Sequence, residues 1–434
     1  MVTLGFAGLT HLGIVSAVAS AAQGFPTIGY HQDFRLINDF NRGILPVLEP
    51  GLPELLAQHR ERLTFHSEAS ALLACDIVYI AVDVPTDDHG KSDLAEIRDM
   101  INQVSGNMRA DALMVVLCQA PPGFTRGLAF PRERLFYQVE TLIFGRAVER
   151  AMQPERFIIG CDNPAVPLPA ALQEYLQSFG CPIQPMCYES AELAKISINL
   201  CLVSCISVAN TMAEICEHVG ADWSEVVPAL RMDKRIGPFS YLSPGLGISG
   251  GNLERDLATV LDMAETHGTD AGVVSAWLAN SGHRKEWPFN TLRHMVLSKK
   301  TDATVAVLGL AYKENTRSTK NSPALALIDK LLSCRIKAYD PVVPASAVGA
   351  HLIQAASALD AAEGADALLI MTPWPEFRDL DPSDVAGRMK GSTVIDPYRM
   401  LDASAVNAAG LDYAALGMPL LIAGERGGAY ILGE

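Results

Sequence analysis

The sequence predicts an α/β protein in which two doubly wound domains are joined by a long central helix. Three observations carry the prediction. A short apolar strand at the N-terminus runs into a glycine-rich turn and an Ala/Val-rich helix, the same strand-turn-helix pattern returns from Thr304, and the stretch between holds a long apolar run with few breakers. In order, residues 2–8 form the first strand, Ile14 to Gln23 a helix and Thr27 to Tyr30 a second strand, which makes a βαβ opening. Apolar runs at Ile77 to Val82 and Leu113 to Leu117 alternate with helical segments, and Phe157 to Gly160 adds a strand near the end of the domain. Ser190 to Val219 then reads as one helix, with a second helical stretch from Trp223. In the C-terminal part, the strand TVAVLGLAY leads to a helix over Pro323 to Ser333 and to strands at Ile336 to Tyr339 and Ala367 to Met371. The boundaries expected are 1–188, 189–298 and 299–434.

Composition narrows the function classes. A single core stops growing at roughly 250 to 300 residues, so 434 residues imply more than one domain. The net charge of −15 argues against nucleic acid or an anionic membrane as partner, so any phosphate must be held locally. Nine cysteines with no CxxC suggest neither a disulfide scaffold nor a zinc ribbon; a reducing cytoplasm and no metal are expected. The opening MVTLGFAGL lacks a basic n-region and a cleavage site, so it reads as structure. The apolar run Ala191 to Cys216 contains Glu192, Lys195, Asn199, Asn210 and Glu214, which would be expensive in lipid. It is expected to be a buried helix, without membrane insertion.

Gly8, Thr10 and Gly13 fill the three places of G-x-G-x-x-G between strand and helix, which marks a Rossmann-like turn. Thr10 stands at the middle glycine, where its hydroxyl could donate to a phosphate at the helix N-terminus. His31 ends the second strand where an acid would take the ribose hydroxyls, with Asp33 two residues on. Lys195 and Asn199, four apart, share one helix face. Such a lysine either pairs locally with Glu192 at i, i+3 or faces a polar ligand. The loop Pro244–Asn252 has four glycines in seven residues, an array of N–H groups open to a ligand or a mobile surface loop. Asp256 follows at a helical start, either facing a ligand or serving the helix dipole. Asp233 to Pro238 brings Lys234 and Arg235 before that loop. Lys313 and Lys320 lie at the strand-end crevice of the C-terminal domain, and Ser322-Pro323 reads as a helix cap with proline at the first helical position.

Together these stretches resemble the UDP-glucose/GDP-mannose dehydrogenase family over nearly the whole chain. The resemblance rests on GLTHLG at 8–13, RGILPVLEPGL at 42–52, PPGFT at 121–125, AELAKISIN at 191–199, DKRIGP at 233–238, PGLGISGGN at 244–252, and VLGLAYKENT with NSPAL at 307–325. It implies two Rossmann-like domains, the first binding NAD and the second the nucleotide, and a dimerising central helix, hence a homodimer. Family members oxidise C6 of a nucleotide sugar to a carboxylate with two NAD, a cysteine capturing the intermediate aldehyde as a thiohemiacetal and then a thioester. On that pattern Lys195, Asn199, Asp256 and Glu140 are catalytic, and Asn252 stands where the nucleophilic cysteine belongs. The cofactor residues implied are Gly8, Thr10, His11, Leu12, Gly13, His31, Asp33, Val84, Pro85, Gln119 and Lys320. The substrate residues implied are Glu140, Lys195, Asn199, Arg235, Tyr241, Gly247 and Lys313.

The departures from the pattern are Asn252 for cysteine, Gln119 for threonine, Phe144 for a second glutamate, Lys320 for arginine, Val84 for the threonine of a TP dipeptide, and Thr10 and His31 in the fingerprint. His31 with Arg35 nearby lacks the acid that would repel a 2′-phosphate, so NADP stays open beside NAD. Without the thiol, an NAD-dependent oxidation of a UDP-sugar should stop after two electrons. The alternatives are an ordinary four-electron 6-dehydrogenase giving a uronate and a non-catalytic nucleotide-sugar-binding paralogue. Cys205, about 80° round the helix from Lys195, is a poor substitute nucleophile, since most buried cysteines are inert.

Overall fold

The computed structural model describes residues 1–85 and 92–424; the last ten residues of the expected C-terminal domain lie outside them. The chain divides into two compact units, Met1–Ile198 and Asn199–Glu434.

The first unit is built on an eight-stranded sheet in the order β3-β2-β1-β4-β5-β6-β7-β8. The strands are β1 (Leu4–Ala7), β2 (Thr27–Tyr30), β3 (Leu63–His66), β4 (Ile77–Ile80), β5 (Leu113–Val116), β6 (Leu135–Gln138), β7 (Phe157–Cys161) and β8 (Ile183–Cys187). All neighbours are parallel except β6 and β7. Its central strands read as continuous apolar runs because both faces are covered: Ile77 and Tyr79 join one core, Val78 and Ile80 the other. The helices are α1 (His11–Ala22), α2 (Phe34–Asn41), α3 (Leu52–Gln58), α4 (Ala95–Ser105), α5 (Ala147–Met152) and α6 (Ala170–Gln177). Strand order reverses between β1 and β4, and ligands of such sheets bind outside the carboxyl ends of strands at that point. There Gly8 follows β1, and Val84 and Pro85 follow β4.

Helix α7 (Tyr188–Val219) is the predicted central helix, two residues longer than expected at its start. It is long and apolar enough to cross a membrane, yet Glu192, Asn199, Asn210 and Glu217 on it are buried and hydrogen-bonded. The expectation of a buried helix needs correcting, because Val208, Met212, Ile215 and Val219 are exposed along one stripe.

The second unit continues with α8 (Trp223–Met232), α9 (Asn252–His267) and α10 (Gly272–Lys285) and then a six-stranded, fully parallel sheet. Its strands, in the order β11-β10-β9-β12-β13-β14, are β9 (Thr304–Leu308), β10 (Arg335–Tyr339), β11 (Ile353–Gln354), β12 (Ala367–Ile370), β13 (Thr393–Ile395) and β14 (Asp412–Ala414). The helix predicted to reach Ser333 stops at Ile328, where Leu331 and Cys334 donate to carbonyls three residues back and turn the chain into β10. Ser322 caps it as expected, its Oγ accepting from the Ala324 amide.

Candidate active site

In the first unit the turn after β1 needs its outer glycines. Gly8 has φ +94°, and a Cβ there would lie 2.5 Å from Val82; a Cβ on Gly13 would lie 1.8 Å from the Gly8 carbonyl. The first α-helical bond runs from Ile14 N to Thr10 O, so the amides of His11, Leu12 and Gly13 are the orphan donors of α1. Thr10 provides no side-chain cap. Its hydroxyl donates back to Ala81 O at 3.3 Å. An uncapped helix start at a topological switch point fits a dinucleotide pyrophosphate.

His31 follows β2, and its Nδ1 accepts from the Asp33 amide at 3.1 Å. Burial holds its ring below the ordinary histidine range. Asp33 Oδ1 accepts from the Arg35 and Leu36 amides as the N-cap of α2. Gln119 is half-buried just past the end of β5.

Lys195, on the first part of α7, lies with Nζ 3.6 Å from Glu140 Oε2, its side chain 12% exposed. Glu140 follows β6 and also accepts from the Leu142 amide. The local Lys195–Glu192 pair is overturned. Glu192 is fully buried and accepts from the Gly123 amide at 2.6 Å and the Thr125 amide at 2.8 Å, so it holds the PPGFT turn. Desolvation pushes its carboxyl above the usual range. Sequence reasoning missed that role, although an acid in an apolar helix signals a need for donors.

In the second unit Asn199 Nδ2 donates to Asp256 Oδ2; the two side chains are 7% and 1% exposed. Asp256 is the fifth residue of α9, deeper than a dipole partner at the helix start, and Arg255 Nε stands 3.6 Å from its Oδ1. Arg255, itself buried, carries no sequence signal of this role. Asn252 is the first residue of α9 and is exposed; Gly251 before it gives no side-chain cap.

The glycine loop is anchored, which corrects the reading of an open array of donors. The Gly245 amide is bound by Asn210 Oδ1, Ile248 by Ser281 Oγ, and Gly250 by the Lys320 carbonyl. Gly247 has φ +76°, and a Cβ there would sit 2.5 Å from Ser281 O. Asn321 Nδ2 donates to Gly250 O at 2.9 Å and also to Glu254, which Lys285 meets at 3.0 Å. The loop that presents Asn252 is therefore braced from α7, α10 and the 318–322 segment.

Arg235 and Tyr241 lie outside this buried cluster. Arg235 is closed on Asp233 with its side chain 89% exposed, and Tyr241 is exposed. Lys313 Nζ lies 5.8 Å from the Tyr312 ring centroid, and burial pushes the Tyr312 hydroxyl up to about 12. The second strand-end turn differs from the first in its acid. Asp340, after β10, accepts from the Leu310 and Ala311 amides at 2.7 and 3.0 Å, and from Trp374 Nε1 at 3.1 Å. Those two turn amides are therefore spent within the second domain, and only the first turn presents an uncapped helix start to a pyrophosphate.

Comparison with known proteins agrees with this division of labour. Residues 2–177 match the NAD binding domain, 189–281 the central domain and 306–403 the UDP binding domain of the UDP-glucose/GDP-mannose dehydrogenase family. The chain is 30% identical to the UDP-glucose 6-dehydrogenase TuaD of Bacillus subtilis, over 98% of this chain and 95% of that one. It is 29% identical to a UDP-glucose 6-dehydrogenase of Pseudomonas aeruginosa, over 95% and 96%. A UDP-glucose dehydrogenase structure from Pyrobaculum islandicum superposes with a TM-score of 0.85 at 26% identity, covering 96% of this chain and 98% of that one. The chain belongs to the UDP-glucose/GDP-mannose dehydrogenase family, and is an NAD-dependent nucleotide-sugar dehydrogenase.

Proposed function

We propose that the protein oxidises a CH–OH group of a UDP-sugar and transfers a single hydride per substrate. Asn252 carries this reading: it opens α9 one turn before the buried Asp256, on a braced glycine loop, and an amide cannot form the thioester that a second oxidation uses. NAD, when bound, accepts the hydride. In this reading the Lys195 ammonium, beside Glu140, stabilises the alkoxide that develops as the hydride leaves. Asp256, oriented by Asn199, takes the hydroxyl proton. Arg235, Tyr241, Gly247 and Lys313 serve the nucleotide and sugar, and the segments 1–188, 189–298 and 299–434 divide into cofactor, dimerisation and nucleotide functions. The three matched ranges support that division.

The names of the relatives favour a second reading, a four-electron 6-dehydrogenase acting on UDP-glucose. Product mass separates the two. Incubation with NAD across UDP- and GDP-sugars should yield one NADH per sugar and a product lighter by two hydrogens. A uronate with two NADH per sugar would sink the single-hydride reading.

We further propose a cytoplasmic homodimer. All nine cysteines are free thiols, as a reducing compartment favours. The exposed stripe Val208, Met212, Ile215, Val219 recurs at spacings of four, three and four, the seam of a helix that packs on its own copy. Met212→Glu with Ile215→Glu should weaken association by about a hundredfold or more, since two carboxylates would be buried without partners. Light scattering should report half the wild-type mass; an unchanged mass would place the interface elsewhere.

A further inference from the structure

One buried carboxylate joins the dinucleotide turn to the loop that carries Glu140, and none of the roles above uses it. Glu49 is 4% exposed. Its Oε1 accepts from the Ala147 amide at 2.7 Å, and its Oε2 accepts from the Gly145 amide at 2.9 Å and from His11 Nε2 at 2.9 Å. A carboxylate only accepts, so Nε2 of His11 carries the hydrogen. The His11 ring also packs on Phe144, with ring centroids 4.1 Å apart.

The two ends of this strut have different duties. His11 is the first residue of α1, and its own amide is among the orphan donors that face a pyrophosphate. Gly145, with φ +85°, lies near the end of the loop that begins at Glu140, and Ala147 opens α5 behind it. Charge-assisted hydrogen bonds are short and about twice as strong as neutral ones, so displacement of the turn is passed to the loop. We infer that Glu49 is a positioning residue that couples NAD binding at the α1 N-terminus to the ordering of the Glu140 loop, through His11. The inference rests on the proposed role of Glu140, and extends it to how that carboxylate is placed.

Hydrogen–deuterium exchange of the full-length enzyme with and without saturating NAD, and with no sugar, tests it. In the wild type, NAD should slow exchange over residues 8–14 and over residues 141–147. Glu49→Gln sets an amide N–H against one of its donors. It should keep the protection over 8–14 and lose about tenfold of that over 141–147. His11→Phe retains a ring beside Phe144 and removes the donor, so it should uncouple in the same way; His11→Gln restores a donor and should recover part of the coupling. In steady state the uncoupled variants should lose kcat while the KM for NAD stays within about threefold. Wild-type protection over 141–147 in Glu49→Gln, or none there in the wild type, overturns the inference. If Glu49→Gln loses protection throughout the N-terminal unit, His11→Phe decides, and intact coupling in that variant overturns it. Failure of the reaction reading looks different: no turnover of any nucleotide sugar, with the NAD-induced pattern intact.

Discussion

Lys195→Met is expected to lower kcat by about 10²- to 10³-fold, the size of effect seen when one donor to a developing oxyanion is removed. Methionine keeps most of the apolar stem of a side chain that is 12% exposed, so the thermal midpoint should fall by only a few degrees or less. The KM for the nucleotide sugar should change far less than kcat, because the ammonium gains most from the alkoxide charge that forms in the transition state. Lys195→Arg keeps the charge beside Glu140 and should recover part of the rate, but a planar fork does not reproduce a point charge. Steady-state kinetics with a melting curve checks the pair. A loss of less than about threefold in kcat for Lys195→Met would remove Lys195 from the chemistry.

Elements whose cue is local were legible in the sequence. Strands β1, β2, β4 and β5 lie within two residues of the apolar runs that predict them, because each is largely buried and bounded by turn residues, whereas β9 stops at Leu308, short of the predicted TVAVLGLAY run. The Ser322 cap with proline behind it is likewise a local signal. Strand β8 was not legible: Ile183–Cys187 contains Pro185, which is tolerated because the strand is an edge, and edge position is a property of the fold. The antiparallel step between β6 and β7 leaves no mark in periodicity either.

At the site, the residue types on α7 and α9 were visible, but their partners were not. Glu192 meets Gly123 and Thr125 across 69 and 67 residues, and Glu49 meets Gly145 and Ala147 across 96 and 98, so no spacing rule reaches them. The cue available was chemical: an acid in an apolar helix or in the LEPGL turn needs donors once buried. The local Lys195–Glu192 reading fails for the same reason, since backbone amides in the PPGFT turn claim the carboxylate. The exposed stripe on α7 was hidden because an apolar residue looks the same in sequence whether it is buried in a core or exposed at the surface.

Asn252→Cys is expected to change the product from the aldehyde to the carboxylate. The position suits a thiol: it is exposed, it is the first residue of α9, and no side chain caps that helix start. A helix N-terminus stabilises a thiolate and lowers its pKa, which raises the nucleophilic fraction near neutral pH. The loop before it is fixed by Asn210, Ser281 and the Lys320 carbonyl, so the sulfur would be presented by a braced backbone. Attack on the aldehyde carbon would form the C–S bond and place a hydroxyl on that carbon. Hydride loss to a second NAD would then leave a thioester, which water cleaves to the acid and free thiol. Acid-quenched protein should carry the mass of the acyl adduct, and NADH formed per sugar should rise from one to two. Asn252→Ala separates the nucleophile from the space it occupies: it should keep the single oxidation and gain no second one. Equal uronate from the wild type and Asn252→Ala would instead mean that the hydrated aldehyde is oxidised directly, and the identity of residue 252 would then not set the electron count.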